Sequence, residues 1–204
     1  KKMIRLAKKG GADAAKFQSY KAETLASKHS PSYWDIKKEK TRSQFELFKK
    51  YDSFSKNDYI KLAKYSKKLN IDFISTPFDD DAIEYLNPLV PFFKISSSDI
   101  TNIPLLKKVA NKKKPVVLST GASSIDEIKN ALKILNKKVK NKVVLMHCIL
   151  NYPTKNKNAN LRMIKGLKKS FPNNIIGYSD HTVADKNLTS LHTAFLLGAN
   201  VLEK

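Results

Sequence analysis

The sequence predicts an α/β protein, and within that class a (β/α)8 barrel. Short β-branched or aromatic runs alternate with helix-patterned stretches along nearly all of the 204 residues. The runs are almost continuously apolar, as parallel strands covered on both faces are. Polar groups gather at the downstream end of one run after another: Lys16-Phe17-Gln18, Ser75-Thr76-Pro77-Phe78, Lys94-Ile95-Ser96-Ser97-Ser98-Asp99, Ser119-Thr120-Gly121, His147-Cys148, Ser179-Asp180-His181-Thr182 and Glu203-Lys204. A parallel barrel collects such ends on one rim, where its chemistry is done. An open doubly wound sheet is the alternative, and the barrel fits better.

The first nine or ten residues read as an amphipathic helix with Met3, Ile4, Leu6 and Ala7 inward, closed by Gly10-Gly11. Ala14 to Ser19 is a short strand. A long excursion follows from Tyr20 to about Arg42, centred on Ser30-Pro31-Ser32-Tyr33-Trp34-Asp35, and loops of that length are often functional. Tyr33 and Trp34 are either loop anchors or a sugar-stacking surface. Helical patterns occupy Ser43 to Lys50 and Lys56 to Leu69, the second with Ser55 as N-cap.

From there the rhythm is regular. Strand Asp72 to Ser75 precedes a helix near Asp79 to Leu86, and strand Phe92 to Ile95 precedes one near Ile103 to Ala110. Strand Pro115 to Leu118 leads to a helix from Ser124 to Leu135, where Ser124 and Glu127 form a capping-box pattern. Strands Lys142 to Met146 and Ile175 to Tyr178 are followed by helices near Asn160 to Ser170 and Ala184 to Leu197, and Gly198 stops the last. Val201-Leu202-Glu203 begins one more strand. A barrel typically needs about 250 residues. The expectation is therefore one partial barrel over 1–204, lacking its first strand and cut inside its last, and poor at folding alone.

A net charge of +21 invites a nucleic-acid reading, because excess cations neutralise phosphates. Only Arg5, Arg42 and Arg162 are arginines; the rest are lysines on nearly every predicted helix. Sequence readers rely more on arginine's bidentate fork, so a solvated lysine coat that favours small anions is the better reading. The single cysteine, Cys148, excludes an internal disulfide framework. No apolar run reaches membrane-span length, and the basic start lacks a signal's apolar centre, so the expected place is the cytoplasm. No Gly-x-Gly-x-x-Gly or Walker-type loop supports a dinucleotide or ATP site.

Lys16 and Lys94 each sit inside an apolar strand, and buried ammonium groups need anionic partners. Thr76, Ser97, Ser119 and Ser179 add hydroxyl donors, which together read as a cradle for a phosphate or carboxylate. His181, just past a strand and beside Asp180, is the strongest metal candidate, with Asp180 its expected orienting acceptor. His147 is a second candidate. Cys148 reads as a small packed residue, and His29 and His192 as ordinary. Glu203 and Asp99 are suited to positioning a sugar hydroxyl or moving a proton, or to pairing with lysine at the rim.

Taken together, Lys16 through Tyr20, Phe73 through Phe78, Phe93 through Ser97, Leu118 through Gly121, His147 with Asn151-Tyr152-Pro153-Thr154, Gly177 through Thr182, and Leu202-Glu203-Lys204 closely resemble the N-acetylneuraminate (sialic acid) synthase family. The resemblance is collinear over essentially the whole chain. It implies a (β/α)8-barrel enzyme that joins phosphoenolpyruvate to N-acetylmannosamine, giving N-acetylneuraminate and phosphate, with manganese, magnesium or another divalent metal. It implies phosphoenolpyruvate contacts at Lys16, Thr76, Lys94, Ser97, Ser119 and Ser179. Sugar-side positions are Gln18, Asp99 and Tyr152; His181 is a metal ligand; Glu203, Lys94 and Tyr152 are the catalytic set. A related N-acetylated aldose, as in legionaminic or pseudaminic acid synthases, is the alternative within the family. A non-catalytic anion- or nucleic-acid-binding protein is the alternative outside it. The resemblance also implies a second metal-binding histidine after Lys204 and an amino-terminal strand with a catalytic glutamate. It further implies a carboxy-terminal antifreeze-like domain and a homodimer in the full-length protein, so the chain as given is expected to be inactive. Leu150 departs from the Asn or Ser common in relatives.

Overall fold

β-Branched and aromatic runs become strands wherever the sequence carries them, and their hydrogen bonds run in parallel throughout. The computed structural model describes residues 1–140 and 142–204. These form two compact units, Lys1–Pro91 and Phe92–Lys204.

In the first unit, helix α1 (Lys2–Lys9) leads to strand β1 (Ala14–Ser19), then α2 (Ala22–Leu25), α3 (Gln44–Tyr51), α4 (Lys56–Lys68), β2 (Asp72–Pro77) and α5 (Asp80–Leu86). The inward stripe of α1 is narrower than its sequence suggests. Ile4 is fully buried and Ala7 partly so, whereas Met3 and Leu6 are 73% and 53% exposed. At 100° per residue Ile4, Ala7 and Lys8 share a face, and Met3 and Leu6 lie well round from it. Lys8 Nζ on that stripe donates to the Asn70 carbonyl at 2.7 Å.

Strands β1 and β2 pair in parallel, with Lys16 opposite Ile74 and Gln18 opposite Thr76. One face carries the stacked Phe17 and Phe73 rings, 5.5 Å apart, and the bonded Ser19 and Ser75 hydroxyls. The other carries Lys16, Gln18, Ile74 and Thr76. Asp58 completes a capping box with Ser55 at α4. The long excursion is stitched down rather than loose. Trp34 Nε1 donates to the Glu39 and Thr41 carbonyls at 3.1 Å each, and Lys50 pairs with Glu39 at 2.8 Å. Trp34 is therefore an anchor, with the exposed Tyr33 edge-on against it.

In the second unit, β3 (Phe93–Ile95), β4 (Val116–Ser119), β5 (Val143–His147), β6 (Ile175–Ser179) and β7 (Val201–Glu203) form a parallel sheet in sequence order. Helices α6 (Ile103–Asn111), α7 (Ile125–Val139), α8 (Met163–Ser170) and α9 (Thr189–Leu196) connect them. Short 3₁₀ turns at Ser97–Asp99 and Asn156–Asn158 follow β3 and β5. A doubly wound sheet reverses strand order at a switch point; this sheet advances by one strand at every crossing. All of β3 and β4 is buried, which explains their unbroken apolar character.

Gly177 sets the closeness of β5, β6 and β7. A Cβ there would collide with Met146 Sδ and lie 2.6 Å from the Val201 carbonyl oxygen. Gly177→Ala should lower the stability of the full-length protein by roughly 1–3 kcal/mol, the usual range for overpacking a core. Urea denaturation checks it, and an unchanged midpoint would contradict this account of the packing.

Candidate active site

Register determines which polar side chains meet. Paired residues of a parallel ladder project to the same side, and alternate residues share a face. Lys94 pairs with Val117, two residues before Ser119; Ser119 pairs with Met146, which pairs with Gly177; Ser179 pairs with Glu203. Lys94, Ser119, Ser179 and Glu203 therefore occupy one face at the downstream ends of their strands. The Lys94 side chain is only 6% exposed, and its Nζ donates to Ser119 Oγ at 2.6 Å. Glu203 Oε2 lies 3.6 Å from the same ammonium, and Glu203 Oε1 accepts from Ser179 Oγ at 2.7 Å. A buried cation needs such a partner, since an uncompensated charge out of water is costly.

His181 joins this group from the loop after β6. Its Nδ1 bonds the Ile149 carbonyl oxygen, which can only accept, so the proton is on Nδ1. The other ring nitrogen, Nε2, faces Ser179 Oγ at 3.2 Å. Ser179 has one proton and gives it to Glu203 at the shorter distance. The Tyr152 ring lies over the imidazole with centroids 4.1 Å apart, and Thr154 N donates to the His181 carbonyl at 2.7 Å. Ile149 and Thr154 act through backbone atoms, which leave no trace in residue type.

Asp180 does not bond the His181 ring, whose Nδ1 goes to Ile149 instead, contrary to the sequence expectation. Its carboxylate accepts from Tyr178 Oη at 3.0 Å, Thr182 N at 2.9 Å and Lys204 Nζ at 2.7 Å. Burial alone would push this carboxyl up; the Lys204 ammonium and the Thr182 and Tyr178 donors outweigh that and hold it low. Burial, with Asp180 beside it, pushes the Tyr178 phenol up.

His147 is not a metal candidate in this arrangement. It pairs with Tyr178, on the face opposite Lys94 and Ser179, where it is buried. Its ring stacks on Tyr178 at 5.6 Å, and Nε2 donates to the Ala159 carbonyl at 2.8 Å. Cys148 is buried beside Gly121, a packed residue as expected. Ser97 and Asp99 lie in the 3₁₀ turn after β3. Burial raises the Asp99 carboxyl, partly offset by bonds from Asn102 and Ser98.

Lys16, Gln18 and Thr76 share one face of the β1–β2 pair in the first unit. Thr76 is buried, but Lys16 and Gln18 are exposed, so Lys16 is not the enclosed ammonium that its apolar strand suggested. Among the described residues no group of three or more His, Cys, Asp or Glu is arranged to hold a metal ion. His181 Nε2 and the Glu203 carboxylate, which both lie close to Ser179 Oγ, offer one nitrogen and one carboxylate. That donor set fits part of a divalent ion's shell.

A family profile described as the NeuB family matches residues 3–204. The chain is 38% identical to N-acetylneuraminate-9-phosphate synthase of Drosophila melanogaster, over all of this chain and 54% of that protein. It is also 38% identical to N,N'-diacetyllegionaminic acid synthase of Campylobacter jejuni, over all of this chain and 61% of that protein. The crystal structure of N-acetylneuraminic acid (sialic acid) synthetase from Leptospira borgpetersenii in complex with citrate superposes with a TM-score of 0.85 at 34% identity, covering all of this chain and 65% of that one. The chain thus spans little more than half the length of these curated relatives.

Burial holds the His147 imidazole below its ordinary pKa, the Ala159 carbonyl opposing only in part. The native state then binds fewer protons than the unfolded chain as pH falls through the imidazole range, so stability drops below about pH 6.5. His147→Gln keeps an N–H for Ala159 and cannot titrate there. In full-length protein the fall in thermal midpoint from about pH 7.5 to about pH 5.5 should be smaller in this variant. An equal fall in both proteins would contradict the assignment.

Proposed function

Because the chain belongs to the NeuB family, we propose that the full-length protein condenses phosphoenolpyruvate with an N-acetylated aldose, N-acetylmannosamine foremost, to give N-acetylneuraminate and phosphate. The observation that carries this reading is the buried Lys94 ammonium, bonded to Ser119 and facing Glu203 on the face that Ser179 shares. An anion entering there meets a cation and hydroxyls already out of water. Preorganised groups of this kind stabilise charge most strongly where solvent is excluded. A legionaminic or pseudaminic acid synthase is the second reading, supported by equal identity to the neuraminate-type and legionaminic-type relatives. For the full-length protein we propose a (β/α)8 barrel, a homodimer and a cytoplasmic location.

In the proposed mechanism Lys94, Ser119 and Ser179 hold phosphoenolpyruvate, with Ser97 as a further contact from the turn after β3. The matches of Lys16 and Thr76 to phosphoenolpyruvate contacts, and of Gln18 to the sugar, rest on the family resemblance. Phosphoenolpyruvate C3 attacks the aldose aldehyde carbon, and the aldehyde oxygen takes a proton from solvent to become a hydroxyl. Holding the two reactants in line supplies much of the rate. Water adds to the electron-poor C2 and gives one proton to Glu203; the C2–oxygen bond to phosphate then breaks, and the remaining C2 hydroxyl proton leaves with the phosphate as C2 becomes a ketone. Tyr152, over His181, and Asp99, whose raised carboxyl retains a proton more readily, serve the sugar side. His181 Nε2 would hold a divalent ion, manganese foremost or magnesium, with Glu203 beside it; such an ion acts as a Lewis acid on the aldehyde.

The test is phosphate release by the full-length protein that requires both phosphoenolpyruvate and the aminosugar. Lys94→Met should raise the KM for phosphoenolpyruvate roughly tenfold or more, since a hydrogen bond to a charged group contributes about 1.5–3 kcal/mol. The sugar KM should change little. A change confined to the sugar would contradict the anion assignment. No turnover, with steeply salt-dependent DNA binding, would favour a nucleic-acid-binding protein instead.

A further inference from the structure

We propose that Lys204 is a positioning residue for His181, an inference that rests on the metal reading of that histidine. Lys204 follows β7, yet its ammonium donates to Asp180 Oδ2 at 2.7 Å and to the Thr182 carbonyl oxygen. These are the two residues that flank His181. The Asp180 side chain is 3% exposed, and its other oxygen is held by Tyr178 Oη and Thr182 N. Asp180 N in turn donates to the Glu203 carbonyl at 2.8 Å, the last ladder contact between β6 and β7. The loop thus leaves the sheet at Asp180 and is drawn back to it by one side chain that grips both neighbours of the histidine.

The consequence reaches the imidazole through the backbone. The ring direction depends on the His181 Cα position and on the Nδ1 bond to Ile149. With the ammonium removed, the Asp180 carboxylate is buried without its cation and the Thr182 carbonyl loses a donor, so the 180–182 segment relaxes towards water. His181 Nε2 then spends less time beside Ser179 and Glu203. Outer partners of this kind commonly change metal affinity by about 10–100-fold. Arginine in place of Lys204 retains two donors on one cation and should substitute; methionine, of similar length, should not.

The experiment uses the full-length protein stripped of metal. Manganese binding, read from free-ion electron paramagnetic resonance, should weaken by at least about tenfold in Lys204→Met and stay within a few-fold of wild type in Lys204→Arg. Amide deuterium exchange at Thr154 and Thr182 should quicken in the methionine variant and not in the arginine variant. Wild-type affinity together with wild-type exchange in Lys204→Met would overturn the proposal. Should that variant fail to fold, Asp180→Asn keeps the Tyr178 and Thr182 bonds while removing the charge that Lys204 meets. It is expected to reproduce the weaker binding, and wild-type affinity in it would overturn the proposal equally. A wild-type protein that binds no manganese would sink the metal reading of His181. The exchange rates then decide alone, quicker exchange in Lys204→Met supporting the role of Lys204 and unchanged exchange removing it.

Discussion

The site depends on the register of the five-stranded parallel ladder. A slip of one residue in any strand would carry its polar end to the opposite face, because successive side chains alternate. Register is held by close approach at Gly177, where Met146 crosses the space that a Cβ would fill. That contact aligns Ser119, through Met146 and Gly177, with the strand that carries Glu203. The same alternation puts His147 and Tyr178 on the far face, so two neighbouring histidine-bearing strand ends have different fates.

Electrostatics follow from this placement. Inside its apolar strand Lys94 is partnered by Glu203 and by the Ser119 hydroxyl, an arrangement that costs stability unless the charges remain paired. Beneath His181, Asp180 and Lys204 form a second pair on the adjoining strand ends. The two pairs serve different ends: the first faces the hydroxyls of the proposed anion cradle, and the second is spent on the loop. The lysine coat, spread over the helices, adds a field that favours small anions without defining where they dock.

Strand positions were legible because a strand covered on both faces must be apolar throughout, and helix starts because Ser55 and Ser124 are N-cap residue types, Ser124 with its partner Glu127 three residues on. Two helices begin later than their periodicity suggests, for local reasons. Asn160 adopts a left-handed φ of 47°, so the helix expected from it starts at Met163. Asp185 accepts from Asn187 N, Thr189 N and Thr189 Oγ, a local network that competes with helix until Thr189. The residue types of the site were readable, and so was the pairing of a rim carboxylate with lysine. What holds His181 was not, because a carbonyl at Ile149 and an amide at Thr154 belong to every residue alike. Asp180, the neighbour that sequence logic favours, is consumed by Lys204.

The most direct test of the central claim is diffraction from crystals of the full-length protein grown with manganese and phosphoenolpyruvate, using the anomalous signal of the metal. Phosphoenolpyruvate should be bonded to Lys94 Nζ and Ser119 Oγ, with manganese coordinated by His181 Nε2. Phosphoenolpyruvate bound elsewhere, with Lys94 still paired to Glu203 and no metal at His181, would contradict it.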